Sequence, residues 1–363
     1  MATEAYAEHV THRRRPSEYV APVIGLLLVG LVVVWLAYNL YDAPEQFFRV
    51  FLIGLTNGAL YALVALGYTL VYGILELINF AHGDVFMLAG IIAASLIGTS
   101  GFLFIPGFDL AQWGTPEASI GALIPAILVC LAVAMIACGV INVTVERIAY
   151  KPLRNAPRLA PLITAIGMSF ILQNVAIVWK GTETVSVNQT LPTGEVFAIG
   201  DVAYTWDRLF VVLVTVPTLV LLMWLVQYTR QGKAMRATAQ DKDAAAMMGI
   251  DVNRTIGFVF VLAGALAGAA GVLFAFYFQT IRYDTGFTIG LIAFTAAVLG
   301  GIGNLPGAVL GAMIIGLVQA FVEGLSWHSP GAGWSPTAVF TILIVILVFR
   351  PEGLLGEQTP EGG

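Results

Sequence analysis

Charge is what this chain has least of. Asp, Glu, Lys and Arg make up 11% of its 363 residues, against about 25% in soluble domains. With 58% apolar residues and a mean hydropathy of +0.87, this excludes a soluble enzyme and indicates a polytopic membrane protein. Cysteine is nearly absent. Cys130 and Cys138 lie in one apolar run, so they imply neither a disulfide framework nor a metal site and read as small packing residues. The pattern Gly-x-x-x-x-Gly-Lys-Ser/Thr is missing, so the chain is not expected to hydrolyse ATP itself. The His-Glu-x-x-His and Gly-x-Ser-x-Gly patterns are missing too, and so is any Arg-rich helix of the voltage-sensing kind. No catalytic residue and no cofactor is expected. The net charge of -5 says little, because charge position matters more than its sum in a membrane protein.

Long apolar runs make up for what is missing. They recur near 20–40, 48–73, 84–100, 119–143, 160–179, 209–227, 255–279, 287–302, 305–325 and 336–349. Each approaches the roughly 20 residues that cross a bilayer as helix. The fold class is therefore an all-α polytopic membrane protein with about eight to ten transmembrane helices. The range reflects Gly and polar interruptions at 74–100 and 284–325. The run after Arg13-Arg14-Arg15 is too long for the core of a cleaved signal peptide. It reads as a retained first helix, with a signal anchor as the alternative. The chain divides into a tail at 1–18, an extra first helix and loop at 19–46, a main unit at 47–356 and a tail at 357–363.

Lys and Arg placement sets the expected orientation. Thirteen of the seventeen fall before the first span, between the fourth and fifth, between the sixth and seventh, or after the last. This predicts cytoplasmic N- and C-termini. The segments 101–118 and 326–335 contain no Lys or Arg, and 181–207 carries Glu183, Glu195, Asp201 and Asp207; these are expected outside. On this topology the polar island Thr229–Asp251, rich in Ala and closed by Gly249, is cytoplasmic. It reads as a surface for a soluble partner, with an ordinary basic loop as the alternative.

Three membrane stretches carry more than oil. Gly54 and Gly58 have the spacing that lets helix backbones approach closely, and Asn57 sits between them. Glu76-Leu-Ile-Asn79-Phe-Ala-His82-Gly-Asp84 holds four polar or ionisable side chains in nine residues. Such residues are costly at membrane depth and point to function. A short solvated loop is the alternative, but the interleaved Leu77, Ile78, Phe80 and Ala81 favour a broken helix lining a wet cavity. A lone His with scattered carboxylates is too poor a ligand set for a metal. In the third stretch, Asp284 and Gly286 are followed by Gly303, Gly307 and Gly311 at helical spacing, and Pro306 marks a turn or helix start. Gly54 precedes Gly83, and Gly257 precedes Gly286, by the same interval. Breaks at matching places in two halves indicate an internal repeat with a substrate path between them.

Leu55-Thr-Asn-Gly-Ala-Leu-Tyr-Ala-Leu-Val-Ala-Leu-Gly-Tyr-Thr-Leu-Val-Tyr-Gly73 and Ile78-Asn-Phe-Ala-His-Gly-Asp84 closely resemble the H-type permease of branched-chain amino-acid ABC importers. So do Thr164-Ala-Ile-Gly-Met-Ser169, the island 232–251, Ala297–Ala308 and Phe349-Arg-Pro-Glu-Gly-Leu-Leu-Gly356. The likeness spans roughly 47–356. It implies a bacterial or archaeal cytoplasmic-membrane permease subunit. Its partners would be two ATPase subunits, an M-type permease or a second copy of itself, an extracytoplasmic binding protein and membrane lipid, with no nucleic acid. Urea and short-amide importers have a similar permease, so the substrate stays open among these; a secondary transporter or channel is the alternative from another class. The resemblance places ATPase coupling in 229–253, at Arg236, Ala239, Asp241, Ala244, Ala245, Gly249 and Ile250. It also implies a translocation path, for which Asn57, Asn79, His82, Asp84, Asp284 and Thr288 are the candidates.

Overall fold

A computed structural model describes residues 16–97, 120–187 and 191–356, apart from 155, 158, 192, 193 and 201. The expected tail 357–363, most of the tail 1–18 and the loop 101–118 lie outside the described residues. Among the described residues, twelve α-helices follow in order: α1 Pro16–Asp42, α2 Pro44–Leu75, α3 Ala81–Ile97, α4 Ile120–Val145, α5 Leu159–Lys180, α6 Trp206–Tyr228, α7 Arg230–Gln240, α8 Lys242–Met247, α9 Val252–Phe278, α10 Thr285–Gly300, α11 Leu305–Gly324 and α12 Ser335–Phe349. Seven of them are long and apolar enough to cross a membrane: α2, α4, α5, α6, α9, α11 and α12. Three further apolar stretches, in α1, α3 and α10, are shorter. The chain is thus an all-α polytopic membrane protein. At 17 and 16 residues, α3 and α10 span about 25 Å each, short of the roughly 30 Å hydrocarbon core.

Two small antiparallel pairs depart from the all-helical expectation. β1 (Val185–Ser186) pairs with β4 (Thr280–Ile281), and β2 (Glu195–Ile199) forms a hairpin with β3 (Val202–Thr205). Both lie between spans, where backbone groups without helical partners pair with each other.

The core sits around α2 and α9. Of their most apolar stretches 78% is buried within the chain, against 22% for α5 and α6. Small residues explain the difference. A Cβ on Gly58 would lie 2.8 Å from the Met313 Cα, which brings α2 against α11. A Cβ on Gly268 would lie 2.7 Å from the Met135 Cα, which brings α9 against α4. Backbones this close leave no room for side chains. Gly268→Leu should therefore push α4 off α9 and destabilise the fold by about 1–3 kcal/mol, the usual cost of overpacking. A lowered unfolding midpoint in detergent would show it; an unchanged midpoint would contradict this packing.

The glycine stripe on α11 is shorter than its spacing suggests. Gly307 and Gly311 pack on Gly300 and Ala296, but Gly303 lies in the preceding turn with φ +95°. Asn304 caps the helix start that Pro306 marks: its Oδ1 accepts from Gly307 N at 3.0 Å. Cys130 and Cys138 are free and buried, as packing residues should be.

Candidate functional site: a buried polar crossing and an exposed island

Helix α2 stops because Glu76 turns left-handed, φ 56°. Residues 76–80 are not helical, and α3 starts at Ala81. Helix α9 stops the same way at Gln279, φ 57°, before α10 begins at Thr285. The first turns of α3 and α10 then cross in backbone contact. A Cβ on Gly83 would strike the Gly286 carbonyl, and one on Gly286 would lie 2.6 Å from Gly83 O and 2.8 Å from the Asp84 Cα. The two breaks singled out from the sequence thus meet in space at Gly83 and Gly286.

Around the crossing, Asn79, His82 and Asp84 are 1%, 0% and 0% exposed. Asn79 Oδ1 accepts from the Tyr150 hydroxyl at 2.9 Å, and its amide donates to Asn142 Oδ1 at 3.4 Å. The Asn142 amide donates to Phe260 O at 2.7 Å, so this network ties the break to α4 and α9. Asp84 Oδ2 accepts from the Ser169 hydroxyl at 2.5 Å, and Oδ1 accepts from the Gln173 amide at 3.2 Å. These donors on α5 are neutral. A carboxylate offers about four lone-pair sites, so Asp84 keeps capacity for a cationic donor. The His82 ring sits edge-on to Tyr68 at 4.9 Å and against Gly67. Neither ring nitrogen has a hydrogen-bond partner; the Val64 carbonyl lies beside the ring outside bonding geometry. The adjoining cavity, between Tyr68, Tyr72 and Phe294, is about 10 Å³, room for no more than one water. The crossing is closed.

The other candidates lie apart. Asn57 is buried on α2 with an unpartnered Oδ1, ten residues and so roughly 15 Å along the helix from Gly67. Asp284 pairs with Arg282, whose Nε donates to Oδ1 at 2.6 Å. That hydrogen bond and charge hold the Arg282 guanidinium above its ordinary pKa. Thr288 is exposed. Neither Asp284 nor Thr288 bonds to the Asn79–Asp84 cluster. Reading the sequence missed Asn142, Tyr150, Ser169 and Gln173 as partners of the break. Their signal was present: each is a polar side chain at or next to an apolar run.

The island forms two helices capped in series. Thr229 Oγ1 accepts from Gly232 N at 3.0 Å and starts α7. Asp241 Oδ1 accepts from Asp243 N and Ala244 N at 2.8 and 2.9 Å and starts α8. Asp251 Oδ1 accepts from Arg254 N at 3.1 Å and starts α9. Each is an N-cap of the expected residue type. α8 closes on Gly249, φ +84°, through Gly249 N to Ala246 O at 3.0 Å and Ile250 N to Ala245 O at 3.1 Å. That pair of bonds is the Schellman motif, which puts Gly249 in the left-handed region.

α7 buries Gly232, Met235 and Thr238 against the bundle, and Arg236 folds back to donate to the carbonyls of Val226 and Gln227. Of the coupling candidates, Arg236, Ala239, Asp241 and Gly249 are exposed, and Ala244 and Ile250 are half-buried. Ala245 lies on the buried side of α8, so its methyl packs inward. The exposed tip is instead Met247 and Met248, at 82% and 83%. Their sequence signal was two long apolar side chains directly before a helix-ending Gly in an otherwise polar segment.

The family described as "Branched-chain amino acid transport system / permease component" matches residues 50–349. The chain is 37% identical over 311 residues to the high-affinity branched-chain amino acid transport system permease protein BraD of Pseudomonas aeruginosa, covering 85% of this chain and 95% of that one. It is 36% identical over 313 residues to the corresponding permease protein LivH of Escherichia coli, with the same coverage. It is 30% identical over 305 residues to the probable branched-chain amino acid transport permease protein LivH of Methanocaldococcus jannaschii, covering 82% and 89%. The match spans both the 76–84 break and the capped island, and the chain belongs to the family of permease components of branched-chain amino acid transport systems.

Proposed function

We propose that this chain is the membrane-spanning subunit of an ATP-driven importer that moves branched-chain amino acids inward. The observation that carries the reading is its identity to BraD and LivH over nearly their whole length. ATP hydrolysis belongs to two separate ATPase subunits, because the chain has no phosphate-binding loop. A second permease of the M type, or a second copy, completes the membrane part, and an extracytoplasmic binding protein delivers substrate. The thirteen clustered basic residues support cytoplasmic termini in a bacterial or archaeal cytoplasmic membrane.

The island 229–253 is then the ATPase contact, with Arg236, Ala239, Asp241, Ala244, Gly249 and Ile250 around a Met247–Met248 knob. Met side chains adapt to a groove better than branched ones. Ala245 supports the contact from beneath. Asn79, His82 and Asp84 are the polar part of the path where α3 and α10 cross. Asn57, Asp284 and Thr288 serve it elsewhere along its length. The helix–break–helix units α2–α3 and α9–α10, each broken at a left-handed residue, support an internal repeat. A path with one buried carboxylate suits an ammonium group, and weak binding there suits release.

The test is uptake of labelled leucine by cells that lack their own branched-chain systems and express this chain with its partners. Competition by isoleucine and valine but not by urea or acetamide is expected. Competition by urea or acetamide alone would assign the chain to an amide importer, and uptake without ATP would point to a secondary transporter.

A further inference from the structure

The closing motif Phe349–Gly356 lies outside both the crossing and the island. It folds back onto the end of α10. Leu354 N donates to Leu299 O at 2.8 Å and Leu355 N to Gly300 O at 3.0 Å. These are carbonyls that the end of a helix leaves without partners. Asn304 holds the segment from the other side: its Nδ2 donates to Leu355 O at 2.7 Å while its Oδ1 caps α11. The approach is too close for side chains. Gly353 has φ +79°, and a Cβ there would lie 2.5 Å from Gly301 N and 2.6 Å from Val298 O. The 301–304 turn so gripped lies beside α2, with Gly303 Cα 3.7 Å from the position of a Cβ on Gly73. It also shares a small cleft with Arg236 and Ala239 of α7.

α10 runs without Pro from Thr285 to Gly300, a rod of about 24 Å. One end lies in this grip, and the other crosses α3 at Gly83 and Asp84. A rigid helix held at one end has its angle fixed at the other. We infer that Arg350–Gly356 is a clasp that positions α10, so that the C-terminal segment sets the α3–α10 crossing from the island end of the bundle. The inference rests on the transport reading for its functional consequence, but its geometric part does not.

Asn304→Asp separates the clasp from the cap. The carboxylate still accepts from Gly307 N, since Asp is a good N-cap, but it turns an oxygen instead of a donor toward Leu355 O. A chain ending at Phe349 removes the clasp outright, and Asn304→Ser serves if Asn304→Asp does not assemble. Spin labels at the exposed positions Phe287→Cys on α10 and Val178→Cys on α5 report the distance across the crossing in the complete complex. The distribution should shift or broaden in the variants, and leucine uptake per assembled complex should fall at least tenfold. A merely structural segment would lower the amount of complex and leave uptake per complex unchanged. Parent-like uptake per complex overturns the inference, and so does lost uptake with an unchanged distance distribution. If the parent complex carries no branched-chain amino acid, the transport reading fails while the distance comparison still decides the clasp.

Discussion

Gly249→Trp should leave the protein folded and assembled but abolish most binding-protein-stimulated ATP hydrolysis, with at least a tenfold loss. Two effects act at this position. The backbone is left-handed, φ +84°, which costs a non-glycine residue about 1–2 kcal/mol. No atom lies within 4 Å of where a Cβ would be, so a side chain starts from open space. It adds bulk next to the exposed Met247 and Met248, where an ATPase groove would close. Gly249→Ala carries the backbone cost without the bulk and should retain most stimulation. Stimulated hydrolysis in the reconstituted Trp variant equal to the parent would remove the coupling role from the island.

Asp84→Ala should cut uptake more than tenfold while protein level and complex assembly stay near normal. Losing a buried acceptor usually strands its donors. Here Ser169 and Gln173 already bond each other at 3.3 Å, so they keep a partner when the carboxylate goes. What disappears is the buried carboxyl group at the crossing. Asp84→Asn keeps the shape and one acceptor, and should lose uptake almost as fully if the charge receives an ammonium group. Full uptake by Asp84→Ala at normal protein level would reduce residues 76–84 to a packing element.

Much of this molecule could be read before it was seen folded. The helices were legible because each apolar run is set by the bilayer's thickness, and the ten runs correspond closely to α1–α6 and α9–α12. The break at 76–84 was legible because polar residues at that depth are rare. Its partners were not, because Asn79 reaches Asn142 and Tyr150 across 63 and 71 residues. No local pattern encodes such separations. The island was visible as charge and Ala amid oil. Which side of it faces outward depended on how α8 sits on the bundle, and that turned Ala245 in and left Met247 and Met248 out. Asp284 stood out by its place after a long helix, and its local pair with Arg282, two positions away, became visible only in the fold.

The most direct test of the account is transport by the purified assembly. The chain, its companion permease and its ATPases are reconstituted into liposomes with ATP enclosed and binding protein with labelled leucine outside, so that the ATPase face points to the lumen. Leucine is expected to accumulate in the lumen above the outside concentration, only with ATP and only with the binding protein present. Leucine that equilibrates without ATP, or an assembly that accumulates urea and ignores leucine, would contradict it.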